Sequence, residues 1–289
     1  MFRGRSPTGG KQKRDRMQAT RPPFDIDRFF ERVKSSPTRV LMLDYDGTLA
    51  PFRPNAVDAH PYPEVTHALD SIMDAGHTRV VIVSGRWAKE LIPLLGLKHR
   101  PELWGSHGWE RVRVDRRYDA ARVPAGTRTL LLALESWSGA VEALGGRVER
   151  KPAGVAFHWR GLSRPDVAAI RDELSQRWAN LSRPTQLEWH EFDGGVELRA
   201  IGRDKGDVVR SIAAEAGADA ALAYLGDDLT DEDAFEAMPA GGASILVRAE
   251  YRPTAADTWI RPPDGLVKFL ARWNREAGGR EVEVRRHAD

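Results

Sequence analysis

The stretch LMLDYDGTLAPF, from Leu41 to Phe52, decides the fold of this chain. It places two aspartates, Asp44 and Asp46, directly after a short apolar run that begins at Arg39. A continuous apolar run of this length is typical of a strand that is buried on both faces of a parallel sheet. In open parallel sheets, ligands bind beyond the carboxyl ends of the strands. The position of Asp44 therefore predicts a functional site at this end of the strand.

The same alternation of strand and helix recurs on both sides of a different middle segment. Further buried strands are predicted at 80–83, 102–104, 221–225 and 244–247. Helices are predicted at 63–76, about 87–95 and 207–216. This order predicts an α/β fold with a doubly wound parallel sheet.

The middle segment, from about 111 to 200, alternates with the two-residue period of half-exposed strands. Its pattern places Val155, Phe157 and Trp159 on one strand face and His158 and Arg160 on the other. Helices are predicted at about 128–144 and 164–179, and a hairpin turn at Asp193-Gly194. We therefore predict an α/β core domain of 24–110 and 201–275, an inserted α+β domain of 111–200, and tails at 1–23 and 276–289.

The composition limits the classes of function. The chain has 289 residues and no cysteine, which excludes disulfides, thiolate nucleophiles and zinc–sulfur sites. No apolar stretch approaches the roughly 20 residues that span a bilayer. The N-terminus also lacks the apolar centre of a secretory signal. We expect a soluble, cytoplasmic, monomeric protein without a membrane partner.

The segment 1–23 carries seven basic residues and one acid. It has hardly any apolar side chains to offset the entropy lost on folding, so we predict a disordered, solvated basic tail. A basic tail can also bind nucleic acid, but we favour the solvated tail and expect no nucleic-acid partner. The charged segment 276–289 receives the same interpretation.

A second acidic cluster follows the predicted strand 221–225. Asp227 and Asp228 lie at the strand end, and Asp231 leads into a helix. Acids favour the start of a helix, which accounts for Asp231 but not for the other two. Carboxylates this close to one another need a compensating cation, and Mg²⁺ prefers hard oxygen ligands. The acidic strand ends therefore predict a magnesium site.

Two other positions provide groups that bind phosphate. Ser84 and Arg86 follow a strand and lead into a helix, where a hydroxyl and free backbone N–H groups can meet an anion. Lys205 lies at the start of another predicted helix. Acidic strand ends for a metal, combined with these groups, predict a phosphoryl-transfer site.

These motifs resemble those of a known superfamily. DYDGTL at 44–49, Ser84, Lys205 and GDD at 226–228 match, in order, the four motifs of the haloacid dehalogenase superfamily of phosphohydrolases. ERKPAGVAFHWR at 149–160, GSHG at 105–108 and VELR at 196–199 are similar to motifs of the trehalose-6-phosphate phosphatases. The resemblance covers about 39–270 and implies a haloacid dehalogenase-like core with a cap. Ala200, where the family usually has proline, and the basic N-terminal extension depart from the pattern.

The resemblance implies Mg²⁺-dependent hydrolysis of trehalose 6-phosphate in trehalose biosynthesis. Asp44 would be the nucleophile that forms an aspartyl-phosphate, and Asp46 would exchange the proton. Ser84 and Lys205 would neutralise the charge on the transferring group. The ligands of Mg²⁺ would be Asp44, the backbone carbonyl of Asp46, and Asp227, with Asp228 and Asp231 as supporting groups.

The cap is expected to close over the core and to select the sugar. We assign substrate binding to Arg86, His107, Lys151, His158, Arg160 and Glu197. Lys151, His158, Arg160 and Glu197 are expected on an open face of the cap sheet. The alternative is that these four are ordinary solvent-facing strand residues without a binding role. For His107, a hinge or loop-packing role is an equal alternative.

Three other functions remain compatible with the sequence. A phosphatase for another sugar-type phosphate, such as a glucosylglycerate, sucrose or aminocyclitol phosphate, would use the same cap. A phosphohexomutase shares the Asp-x-Asp start. A non-enzymatic sugar-phosphate sensor is the third alternative, and the intact set of Asp44, Asp46, Lys205 and Asp227 argues against it.

Overall fold

The computed structural model describes residues 24–53, 55–181, 186–192 and 194–279. The predicted basic tail, most of the predicted C-terminal tail and Asp193 lie outside the described residues. Within the described ranges, no helix is both long enough and apolar enough to cross a membrane.

The described residues form two β-sheets, and helices separate some of the strands along the chain. The strands are β1 (Arg39–Asp44), β2 (Arg79–Val83), β3 (Glu102–Gly105), β4 (Glu110–Val112), β5 (Tyr118–Ala120), β6 (Arg147–Lys151), β7 (Gly154–His158), β8 (Leu187–Phe192), β9 (Gly195–Ala200), β10 (Ala221–Gly226), β11 (Ala243–Val247) and β12 (Thr258–Ile260). The helices are α1 (Ile26–Ser35), α2 (Pro63–Ala75), α3 (Ala88–Leu91), α4 (Ala125–Leu134), α5 (Ser138–Ala143), α6 (Arg164–Ala179), α7 (Lys205–Ala216), α8 (Glu232–Ala237) and α9 (Asp264–Glu276).

The larger sheet has the strand order β12-β11-β10-β1-β2-β3-β4-β5. Its strands from β12 to β3 are parallel, and β4 and β5 are antiparallel additions at one edge. β1 lies between β10 and β2, so the strand predicted from the opening motif is central in the sheet.

Helices cover both faces of this sheet because successive side chains of each strand point to opposite faces. Leu41 and Leu43 pack in one apolar cluster with α1, α2 and α9, whereas Val40 and Met42 pack in a second cluster with α7 and α8. Burial on both faces explains why β1 is a continuous apolar run. The predicted doubly wound α/β fold is confirmed.

The smaller sheet, which belongs to the cap, is antiparallel and has the strand order β6-β7-β9-β8. Val155, Phe157 and Trp159 pack beneath the cap helices in a separate apolar cluster, as the two-residue period predicts. Phe157 is fully buried and stacks on Trp137, with 6.2 Å between ring centroids. The opposite face of the sheet is turned toward the core.

The strands β4 and β5 lie almost entirely within the range predicted for the cap. β4 and β5 pair with the core sheet, so the predicted boundary at residue 111 lies inside that sheet. The sequence could not show whether β4 and β5 belong to the core sheet or to the cap sheet. An antiparallel strand at the edge of the core has the same two-residue alternation as a cap strand.

Three helices differ from their predicted bounds. The helix expected at 87–95 is limited to α3, followed by a 3₁₀ turn at Ile92–Leu94, because Pro93 lacks an N–H donor. The helix expected at 128–144 is divided into α4 and α5 by a 3₁₀ turn. α7 begins two residues early, because Asp204 and Asp207 form a reciprocal capping box around Lys205.

Candidate active site

The topology of the core sheet brings the predicted motifs together. Asp44 is the last residue of β1, and Asp227 directly follows β10, the neighbouring parallel strand. The first residue of α7 is Lys205, which reaches the same edge of the sheet. The acidic strand ends and the lysine therefore meet at the carboxyl end of the sheet, as the sequence predicts.

Lys205 is buried between two carboxylates. Its Nζ donates to Asp44 Oδ1 at 2.6 Å and to Asp231 Oδ1 at 2.7 Å. Burial alone would lower the pKa of Lys205, but the attraction of Asp231 and Asp44 outweighs it and raises the pKa above the ordinary lysine value. The side chain is therefore a permanent positive charge within the site.

Asp231 is more central than its predicted supporting role suggests. Its Oδ1 also accepts a hydrogen bond from the Tyr224 hydroxyl at 2.6 Å. Its Oδ2 accepts from the backbone N–H groups of Asp227 and Asp228 at 3.1 and 3.0 Å. The carboxylate is completely buried. Asp231 therefore fixes the shape of the acidic loop and positions Lys205. The preference of acidic residues for the start of a helix does not account for these contacts.

Asp228 has a local role in the same loop. Its Oδ1 accepts a hydrogen bond from the backbone N–H of Leu229 at 2.7 Å, which caps the short 3₁₀ turn that follows. The supporting role that the resemblance implies for Asp228 at the metal site stays a prediction.

The residues of this cluster fit a divalent cation. Asp44, Asp227 and Asp231 each offer a carboxylate oxygen within 4.8 Å of the others. Asp44 Oδ2 and Asp227 Oδ1 are buried and have no hydrogen-bond partner within the described part of the chain. When all are ionised, the three carboxylates and the ammonium of Lys205 carry a formal net charge of −2. Hard oxygen donors with this charge suit Mg²⁺.

Asp44 and Asp227 have raised pKa values because both are buried and lie next to other carboxylates. Burial, with the repulsion of Asp231, raises the pKa of Asp44 to about 7 although Lys205 lowers it. Burial and the repulsion of Asp44 and Asp231 raise the pKa of Asp227 well above its ordinary value. A bound cation would relieve the repulsion in both cases.

Gly47 allows the loop after β1 to approach the acidic loop after β10. Its φ of +86° lies in the left-handed region. A Cβ atom at this position would lie only 2.1 Å from Asp227 Oδ2. The glycine of the opening motif is therefore required both by its backbone conformation and by the position of Asp227.

Asp46 is held by Arg86 rather than by the buried cluster. The Arg86 guanidinium donates to both Asp46 oxygens, from Nε at 2.7 Å and from Nη2 at 2.6 Å. Arg86 also donates to the carbonyl of Ala56, and its backbone N–H donates to the buried Ser84 hydroxyl. Asp46, the expected proton donor, and Arg86, the expected phosphate-binding residue, are therefore paired with each other in this structure.

The cap contacts the core through buried polar groups. Glu197 Oε2 lies 3.2 Å from Lys151 Nζ and 3.1 Å from Nε2 of His107, which belongs to the core. Burial alone would raise the pKa of Glu197, but Lys151 and His107 lower it below its usual range. The expectation that Lys151 and Glu197 lie on an open sheet face is wrong, because this face packs against the core and their side chains are 9% and 5% exposed.

His107 lies in a backbone conformation that is unusual for its residue type. Its φ is 55°, and the preceding residue, Ser106, has a φ of 50°. Burial lowers the pKa of His107 to about 4, so the imidazole is neutral near neutral pH. Its Nδ1 is buried without a hydrogen-bond partner in the described ranges. Strained backbones of this kind are common at functional sites.

His158 and Arg160 also face the core side of the cap. His158 Nε2 lies 2.8 Å from Glu149 Oε2. Burial alone would raise the pKa of Glu149, but His158 and Lys151 lower it to about 2. Arg160 stacks over the ring of Phe52, 5.2 Å from its centroid, so it reaches the loop that follows the opening motif.

Several polar residues at the contact between cap and core, and one at the acidic loop, were not assigned a role from the sequence. They are Glu149, Glu188, His190, Arg199 and Tyr224. The two-residue period could have found Glu149, because it shares a strand face with Lys151. Arg199 lies in the VELR motif but received no role. Glu188, His190 and Tyr224 lie outside the motifs, and their positions depend on the pairing of strands that are distant in sequence.

The solved structures that this chain is similar to define its class. A haloacid dehalogenase-like hydrolase from B. subtilis has a TM-score of 0.56 and 13% identity, with 80% of this chain and 98% of that chain covered. The C-terminal domain of the C. albicans trehalose-6-phosphate phosphatase has a TM-score of 0.71 and 20% identity, with 90% and 98% covered. The fold is thus that of a haloacid dehalogenase-like hydrolase.

The family follows from the sequence. The chain belongs to the trehalose-phosphatase family, whose model matches residues 42–258. It is 31% identical over 253 residues to the trehalose-phosphate phosphatase of Mycobacterium marinum, covering 82% of this chain. The match spans 61% of the length of that relative.

The approach of Gly47 to Asp227 can be tested by comparing two glycines. Gly47→Ala should lower the free energy of unfolding by roughly 2–4 kcal/mol, because it adds a steric clash to the left-handed backbone strain. Gly76→Ala is the control, since Gly76 has a φ of +71° and an added Cβ there would have no atom of the described residues within 4 Å. It should cost only about 1 kcal/mol. Equal losses in urea unfolding would contradict the proposed close approach.

Proposed function

We propose that this chain is a Mg²⁺-dependent phosphatase that hydrolyses trehalose 6-phosphate to trehalose and phosphate through an aspartyl-phosphate. The observation that carries the proposal is the buried cluster of Asp44, Asp227, Asp231 and Lys205 in a member of the trehalose-phosphatase family. A cytoplasmic location and a monomeric state stay predictions.

Asp44 is the proposed nucleophile. One of its oxygens is held by Lys205, and the other accepts no hydrogen bond from the described residues. In the first step, an Asp44 oxygen forms a bond to phosphorus while the bond from phosphorus to the sugar oxygen breaks. In the second step, water attacks the same phosphorus and releases both phosphate and the Asp44 carboxylate.

Asp46 is the proposed group that carries the proton. It would protonate the leaving sugar oxygen and then accept a proton from the attacking water. Because both of its oxygens are bound by Arg86, the guanidinium must leave Asp46 before this exchange. The phosphate group of the substrate competes for that guanidinium, so substrate binding would itself release Asp46.

The charge of the transferring group is met by the remaining side chains. The Lys205 ammonium and the Ser84 hydroxyl would bind phosphoryl oxygens and stabilise the charge that develops on them. Asp44, Asp227 and the backbone carbonyl of Asp46 are the proposed ligands of Mg²⁺. When bound, Mg²⁺ would supply positive charge next to the phosphoryl group and offset the buried carboxylates.

The cap would recognise the sugar. Lys151 is paired with Glu197, and His158 is paired with Glu149, where the cap packs on the core. Sugar hydroxyls can replace the hydrogen bonds within these two pairs. Arg160 and His107 would join the cap to the core around the bound sugar. Closing the cap would exclude bulk water while the phosphoryl group is transferred.

The proposed activity is tested by a phosphate-release screen over sugar phosphates, with and without Mg²⁺. Trehalose 6-phosphate should be cleaved fastest, and chelation should abolish release. The panel includes the glucosylglycerate, sucrose and aminocyclitol phosphates, and hexose phosphates analysed for isomerised products. Fastest release from another sugar phosphate would replace the proposed substrate, and isomerisation without release would replace hydrolysis with a mutase reaction. Asp44→Asn should be inactive while it remains folded.

The division between core chemistry and cap recognition is tested by replacing both His158 and Arg160 with alanine. The double variant should raise the KM for trehalose 6-phosphate by about tenfold or more, because hydrogen bonds to the sugar are lost. Hydrolysis of p-nitrophenyl phosphate, which has no sugar, should be unchanged. Arg171→Ala, on the helix side of the cap, serves as the control. An equal loss of activity on both substrates would contradict this division.

A further inference from the structure

The strand β8 carries a histidine that belongs to no sequence motif. In the pairing of β8 with β9, His190 lies directly opposite Glu197. Its neighbour Trp189 faces the cap helices, where it packs against Trp178 with 5.8 Å between ring centroids. Because successive side chains alternate, His190 lies on the opposite face, together with Glu197. This is the face that packs toward the core.

The surroundings of His190 come from both the cap and the core. On the cap, the ring is close enough to Arg199, Glu197 and Glu188 to interact electrostatically, and across the cleft it interacts with Asp228. Its Nε2 is buried and has no hydrogen-bond partner among the described residues. Buried polar atoms normally have a partner. An unpaired ring nitrogen between the cap and the acidic loop is thus available to a bound molecule.

The charge state of His190 indicates which group of a ligand it would bind. Burial, followed by the repulsion of Arg199, lowers the pKa of His190, so the ring is neutral near neutral pH. The anionic phosphoryl group binds more strongly to charged side chains such as Lys205 and Arg86. A neutral imidazole that can donate or accept a hydrogen bond suits an uncharged hydroxyl group instead.

We propose that His190 is a specificity-determining residue whose Nε2 forms a hydrogen bond with a hydroxyl group of the bound sugar. This inference rests on the proposed function, because it requires a sugar phosphate as the substrate. It adds β8 to the cap part of the recognition surface, where the residues assigned from the motifs lie on β6, β7 and β9 or, for Arg160, just after β7. It also gives Glu197 a neighbour that binds the substrate from the adjacent strand.

The test compares His190→Leu with His190→Gln in the full chain. Leucine removes the ring nitrogens, whereas the glutamine amide places a nitrogen near the position of Nε2. His190→Leu should raise the KM for trehalose 6-phosphate by about tenfold and leave kcat within about twofold, as expected for one lost hydrogen bond in the bound state. His190→Gln should recover most of the affinity. Neither variant should change kcat/KM for p-nitrophenyl phosphate.

Glu191→Gln is the matched control, because Glu191 follows His190 on β8 but points to the helices, where it accepts from Arg171 at 2.6 Å. It should leave both substrates unaffected. An unchanged KM in His190→Leu would overturn the proposal, as would equal losses on both substrates without recovery in His190→Gln. If the unaltered chain cleaves p-nitrophenyl phosphate but not trehalose 6-phosphate, the proposed function fails and this inference with it. A failure confined to the His190 variants leaves the function standing.

Discussion

The arrangement of the site depends on the burial of Lys205 between Asp44 and Asp231. This ammonium group joins the end of β1 to the loop after β10, at 2.6 and 2.7 Å. Removing one partner of a buried ion pair typically costs about 3–5 kcal/mol, because the other charge is left uncompensated. Asp231 also accepts hydrogen bonds from Tyr224 and from the backbone of the acidic loop, so the shape of that loop depends on the same carboxylate. The formal charge of −2 that the ionised carboxylates and Lys205 carry together suits a divalent cation.

The contact between cap and core also depends on buried groups of opposite charge or complementary hydrogen bonding. Glu197 is shared between Lys151 of the cap and His107 of the core, and its carboxylate stays ionised because both neighbours offset its burial. Arg86 and Asp46 form another pair at the edge of the same cleft. Each of these pairs is satisfied internally while the cap is packed on the core. A substrate with a phosphate and many hydroxyls can exchange partners with them at little desolvation cost, which connects the closed arrangement to recognition of a sugar phosphate.

The sequence predicts the core sheet and the meeting of the motif residues at one edge of it, because these residues directly follow strands whose parallel order brings their ends together. The sequence does not reveal the role of a residue whose type is already explained by its local position in the chain. Asp231 has an ordinary preference for the start of a helix, and only the folded loop reveals its contact with Lys205. The pairing of Arg86 with Asp46 joins segments 40 residues apart, which no local pattern contains. His190 carries no motif signal, since its position opposite Glu197 follows from strand pairing alone.

The central claim, that Asp44 attacks phosphorus directly, is tested most directly by the stereochemistry of phosphate transfer. The measurement uses a sugar phosphorothioate made chiral with oxygen isotopes and water that carries a third isotope. Two successive in-line displacements, first by Asp44 and then by water, each invert the configuration at phosphorus. Direct attack by Asp44 therefore predicts net retention in the released thiophosphate. Net inversion would mean that water attacks the substrate in a single step, and it would contradict the assignment of Asp44 as the nucleophile.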